Sequence, residues 1–165
     1  MRVITKETDY AIRAVAHLAR KPGALVTSAE ISAGEHIPLQ FLRRILGRLL
    51  KAGLVTSREG VSGGVSLRVR PGDIRILDIV RIFQGEVALS ECMFRKKICA
   101  NRGTCVLRRH ILEIERALAD KFAAITIADL LREARARGRA CKPATPTRPA
   151  GTGRKRCNPN ARQAR

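Results

Sequence analysis

Tryptophan is absent from this 165-residue chain, tyrosine occurs once and phenylalanine four times. A core without large rings has to be assembled from Leu, Ile, Val and Ala, and a 45% hydrophobic content suffices for one. Acids are scarce as well: 14 Asp and Glu stand against 33 Lys and Arg, a formal net charge of +19. Such an excess is expected of a protein whose partner is a polyanion, nucleic acid before an anionic membrane surface. No apolar run approaches the ~18 residues of a membrane span, so no membrane partner is expected. The opening MRVITKETDY lacks the apolar stretch of an export signal. We therefore expect a cytoplasmic protein with reduced thiols, in which clustered cysteines serve metal or redox chemistry before disulfides. Neither a phosphate loop nor a Ser/His/Asp set is present, and neither an enzyme nor a small-molecule substrate is expected.

What is present reads as a series of short helices. In TDYAIRAVAHLAR (8–20), Ala11, Ala14, Val15 and Leu18 share one helical face, with Thr8 or Asp9 as cap and KPG as terminator. TSAE (27–30) has the form of a capping box and opens a short helix to about His36. Pro38 then stands where a first-turn proline is tolerated, and a third helix runs to about Ala52 with Gly53 closing it. One face of that helix carries Leu39, Leu42, Ile45, Leu46 and Leu49. Its other face carries Gln40, Arg43, Arg44, Gly47, Arg48 and Lys51, without an acid. A helix meant only for water normally mixes its charges.

Two β-favouring runs follow, Leu54–Ser57 and Val65–Val69, around a tip containing Gly60, Gly63 and Gly64. Helix, short helix, basic helix and hairpin is the order of a winged helix-turn-helix, whose third helix enters the major groove of DNA. Gln40, Arg43 and Arg44 are the candidates for bases or flanking phosphates. Arg48, Lys51 and Arg58 are candidates for phosphates, and Ser62 and Gly63 for contacts from the wing tip. PGDIRILDIVRIFQG (71–85) predicts a turn and a helix burying Ile76, Ile79, Val80 and Phe83. Over 106–122, Leu107, Ile111, Ile114 and Leu118 repeat at heptad-like spacing, which suits either an internal core stripe or a seam against a second copy. Paired DNA half-sites favour the second, a homodimer. TIADLL (126–131) opens a final short helix with Thr126 as cap and Asp129 as its box partner. From Gly138 onward there are eight Lys or Arg, no acid and no apolar period, a composition expected of a disordered basic arm.

Three of the five cysteines fall in ECMFRKKICANRGTC (91–105), as C-x6-C-x5-C; Cys141 and Cys157 lie in the basic tail without an assigned role. Zinc ligands are usually paired more closely, and catalytic cysteines usually stand singly. The wide spacing suits something larger than one ion, and an iron–sulfur cluster, zinc, a thiol switch and no metal all remain open on spacing alone. Arg95, Lys96, Lys97 and Arg102 would favour thiolates.

Taken together, TDYAIRAVAHLA, IPLQFLRRILGRLLKAGLV, REGVSGGVSL, ILDIVRIFQG and the cysteine loop resemble the IscR/NsrR family of bacterial winged-helix repressors that sense through iron–sulfur clusters. The resemblance covers residues 1 to about 133. It implies a homodimeric, sequence-specific regulator, in which Cys92, Cys99 and Cys105 are cluster thiolates and the cluster is 2Fe–2S or 4Fe–4S. The fourth ligand of one branch falls here on Arg108, which cannot bind iron. That of the other, an acid from the first helix of the second subunit, falls on Asp9, with His110 the runner-up. His17, further along that helix, is expected in the core. The expected fold is mainly α: a winged helix-turn-helix with a two-stranded wing plus a long dimerisation helix. Its parts are a DNA-binding domain (1–85), the cysteine loop (86–105), the dimerisation and C-terminal helices (106–137) and the tail (138–165). The partner is an operator in double-stranded DNA, and the signal is nitric oxide, redox state or iron supply. The rival expectations are a cluster-free regulator using Cys92, Cys99 and Cys105 as a thiol switch or metabolite sensor, and an iron–sulfur electron carrier.

Overall fold

A computed structural model describes residues 3–60, 63–89 and 104–140, except the side chains of 137–140. Its described elements are α1 (Lys6–Ala19), α2 (Ser28–Glu35), α3 (Leu39–Lys51), β1 (Val55–Arg58), β2 (Gly64–Leu67), a 3-10 turn (Pro71–Asp73), α4 (Ile76–Gln84), α5 (Val106–Ala124) and α6 (Ile127–Ala140). The mainly α winged-helix architecture expected from the sequence is the one observed.

Local chemistry sets the boundaries. The first helix begins earlier than expected: Thr5 is its cap, its Oγ1 accepting from the Thr8 amide at 3.3 Å. Thr8 is not the cap but a fully buried residue of the first turn. Thr27 caps α2 as its motif predicts, accepting from the Glu30 amide at 3.2 Å. Pro38 sits just before α3, and Gly53 follows it at φ 72°, a left-handed turn that glycine adopts without a steric cost. Thr126 and Asp129 form the predicted reciprocal box at the head of α6, Asp129 Oδ2 accepting from the Thr126 amide at 3.0 Å. That helix is longer than expected and continues through Gly138 to Ala140.

Antiparallel β1 and β2 pair Val55 with Leu67 and Arg58 with Gly64. A bridge from Val26 to Val65 adds a third short rung and ties the wing to the segment before α2. Gly64 is required there, because a Cβ on it would stand 2.9 Å from the Val26 carbonyl oxygen.

One core unites α1 to α4 and the wing: Val15, Leu18, Ile31, Ile37, Leu42, Ile45, Leu49, Val55, Ile74 and Ile79 are almost wholly buried. Each such side chain is worth about 1.5–3 kcal/mol of burial. Ile127 belongs to the same core. The chain returns to it after α5 through paired backbone bonds, from the Ile76 amide to Ile125 O at 2.9 Å and from the Ile127 amide to Ile74 O at 3.0 Å. The start of α6 is thereby stitched into the winged-helix unit. By contrast α5 leaves Leu107 65% and Ile114 55% exposed. Among the described residues, no helix is long and apolar enough to cross a membrane.

Candidate nucleic-acid interface

The third helix turns Leu42, Ile45, Leu46 and Leu49 into the core, and this fixes what its other side presents. Gln40, Arg43, Arg44, Gly47 and Lys51 are exposed along it, and Arg58 is exposed at the end of β1. Ser62 lies outside the described residues, whereas Gly63 folds the wing tip back, its amide donating to Gly60 O at 2.9 Å. Its Cβ position is filled by the carbonyls of Arg58 and Gly60, so only glycine fits.

Arg48, expected as a phosphate contact, also has partners within the protein. Its guanidinium pairs with Glu7 of α1 at 3.3 Å, donates to Ile82 O of α4 and lies 4.4 Å over the Phe83 ring. Those contacts fasten α3 to α1 and α4. A residue missed in the sequence is Phe41, 48% exposed in the first turn of α3 with the Arg44 guanidinium 5.0 Å over its ring. The helical phase of Phe41, off the apolar stripe, is the signal that could have found it. Glu7, Arg44, Gly47, Arg48 and Lys51 border an open cleft of about 460 Å³ on this side.

Behind the interface lies a charged cluster that packs α1 on α2. Glu35, the last residue of α2, is buried. Its Oε1 meets His17 Nδ1 at 3.0 Å and accepts from Arg20 at 2.7 Å, while Arg13 lies 3.7 Å from Oε2 and donates to Glu35 O. Burial alone would raise the Glu35 carboxyl; the bonds from His17 and Arg20, and the charge of Arg20, outweigh it and hold it below the usual range. His17 is packed as expected, with Nε2 buried and, among the described residues, without a hydrogen-bond partner. The next residue, His36, adopts a left-handed conformation (φ 53°, ψ 44°) and turns the chain toward α3.

Asp9 is exposed on α1 and pairs with Arg13 at 3.6 Å. Cys105 is the cap of α5, half-buried, its Sγ accepting from the Arg108 amide at 3.4 Å. Cys92 and Cys99 of the proposed ligand set, like Cys141 and Cys157, lie outside the described residues. His110 is exposed and paired with Glu113 at 3.2 Å. Among the described residues no three His, Cys, Asp or Glu side chains converge.

Residues 4–133 match the model of the Rrf2 family, described as an iron-dependent transcriptional regulator. The chain belongs to the Rrf2 family. A putative HTH-type transcriptional regulator, rrf2-like, from Rhodobacter capsulatus is 32% identical over 138 residues, spanning 78% of this chain and 92% of that protein. The HTH-type transcriptional regulator NsrR of Bacillus subtilis is 29% identical over 131 residues, 78% of this chain and 90% of that one. Among solved structures, CymR, the global cysteine regulator of B. subtilis, superposes with a TM-score of 0.68 at 24% identity, covering 81% of this chain and 98% of its own. This Rrf2-family chain is thus a helix-turn-helix transcriptional regulator and not an enzyme. Residues 134–165 extend past the family match.

Proposed function

We propose that the protein is a homodimeric repressor that binds operator DNA through α3 and the wing, with its affinity set by an iron–sulfur cluster on Cys92, Cys99, Cys105 and the partner subunit's Asp9. The observation that carries this reading is the C-x6-C-x5-C segment in a chain whose family is described as iron-dependent. The described donors suit such a group. Cys105 is half-buried at the N-terminus of α5, and its Sγ accepts from the Arg108 amide at 3.4 Å. Among the described residues the Asp9 carboxylate is paired with Arg13, and it is open to solvent. When bound, the cluster supplies a covalent tie that nitric oxide, oxidation or iron shortage breaks.

The chain's own residues then couple Asp9 to the recognition helix. Arg13 holds Asp9 on one side and the Glu35 carbonyl on the other, one residue before the His36 turn into α3. Any ligand that competes with Arg13 for Asp9 therefore acts on the anchorage of that turn. Operator half-sites lie about one helical turn, roughly 34 Å, apart, so small displacements of paired α3 helices alter affinity.

The test is anaerobic purification, with visible spectra and iron content, then DNA binding before and after nitric oxide. Cluster absorbance that Asp9→Ala perturbs, and DNA affinity that changes on exposure, are expected. Colourless, metal-free protein with intact thiols after reconstitution would overturn the reading. A second reading, a metal-free thiol switch, is supported by the half-buried thiol of Cys105 at a helix N-terminus. It predicts DNA binding that responds to a disulfide oxidant in metal-free protein.

A further inference from the structure

Gly47 sits in the interior of α3, where glycine is less favourable than alanine. Nothing among the described residues asks for it. Its φ is not left-handed, and a Cβ built on it would find no atom within 4 Å. The other helical glycine of the winged-helix unit, Gly34, is explained at once, since a Cβ there would stand 2.7 Å from the His17 ring. Gly47 instead forms the bare wall of the 460 Å³ cleft, with Arg44 and Lys51 at its exposed edges. Glu7, the acid among the cleft's described residues, is paired with Arg48, leaving Arg44 and Lys51 to set the sign of the charge toward solvent.

We infer that Gly47 is a contact surface for a DNA phosphate, whose sugar–phosphate backbone closes on the uncovered helix between Arg44 and Lys51. A helix-interior glycine with open space beside it is economical only if something outside the protein needs that space. Two flanking cations and no unpaired acid identify that something as an anion. A phosphate on a duplex fits both, because strand and helix surfaces meet over several residues and a side chain between them would hold them apart. This rests on the DNA-binding role of α3 proposed above.

The experiment compares Gly47→Ala and Gly47→Leu with the wild type and with Gly72→Ala, another glycine whose Cβ would meet open space, in the 3-10 turn. Thermal unfolding and binding to both a selected operator duplex and a random duplex are measured over a salt series. Gly47→Ala is expected to raise Tm by about 2–4 °C while weakening both duplexes by about tenfold, with Leu worse than Ala. Gly72→Ala should leave binding unchanged. Unchanged affinity in Gly47→Leu overturns the inference, as does weakening confined to the operator, which would place Gly47 against base edges. A variant-sensitive stabilisation by inorganic phosphate at constant ionic strength would make this a site for the free anion, and also overturns it. Wild-type protein that binds no duplex at all would defeat the underlying reading, a result separate from any of these.

Discussion

Glu35 shows how much one buried acid can be asked to hold. It gathers His17, Arg20 and Arg13 from α1 onto the end of α2, and its carboxyl is held below the usual range. A carboxyl depressed in the fold stabilises it fully above the unfolded value, about 4.3, and loses that contribution as pH falls through the lower folded value. Glu35→Gln should therefore cost about 1–3 kcal/mol in urea unfolding at pH 7, and the gap to wild type should narrow below about pH 4. A gap that stays constant down to pH 3 would show that charge is not what Glu35 contributes. The neighbouring contact is steric. Gly34→Ala brings a methyl against the His17 ring and should cost about 1–3 kcal/mol. The double variant with His17→Ala should cost less than the sum of the two single changes, because the clash has lost one partner.

At the scale of elements, α3 divides its work by helical phase. The inward stripe was plain in the sequence from the spacing of Leu42, Ile45, Leu46 and Leu49, and the caps at Thr27 and Thr126 from their motifs. What could not be read there depends on which element comes to lie opposite. Arg48 looks like any other cation of its helix until Glu7 and Ile82 are brought beside it from α1 and α4. Glu35 looks like a solvated helix-end acid until α1 covers it. Ile127 joins the N-terminal core only because its amide donates to Ile74 O, and that of Ile76 to Ile125 O, across some fifty residues of chain. The cysteine loop stood out by composition, but a ligand set was expected there only from the family resemblance, and two of its three thiols lie outside the described residues. The division within α3 has a measurable consequence. Arg48→Ala should lower unfolding stability by about 1–2 kcal/mol through its lost pair and ring contact. Phe41→Ala, which removes the ring under Arg44, should leave stability near wild type and reduce operator discrimination by roughly 0.5–1 kcal/mol. A selection from random duplexes, followed by titration of the best and a one-base variant, measures the second effect. Equal stability losses for both would erase the distinction drawn between them.

For the whole molecule, the outstanding surface is the one α5 leaves open. Leu107 and Ile114 are more than half exposed, Ile111 and Leu118 only partly covered, and all four follow the heptad-like spacing. A second copy laid along the same stripe would cover it symmetrically, since each helix offers the other an identical face. Pairing two winged-helix units makes the second half-site encounter intramolecular, and such linkage commonly multiplies affinity by 10²–10⁴ without any new contact to DNA. Placing a charge at the centre of the stripe separates that gain from the recognition chemistry. Ile114→Glu is expected to convert the proposed dimer into a monomer by sedimentation or light scattering, since burying an unpaired carboxylate costs several kcal/mol. Affinity for a two-half-site operator should then fall by about two orders of magnitude or more, while binding to a single half-site stays near the wild-type value. The N-terminal core, which does not include Ile114, should unfold with little change. A variant that remains dimeric would place the subunit contact elsewhere on the molecule. A monomer that kept full affinity for the paired site would mean that each winged-helix unit binds its half-site independently of the other.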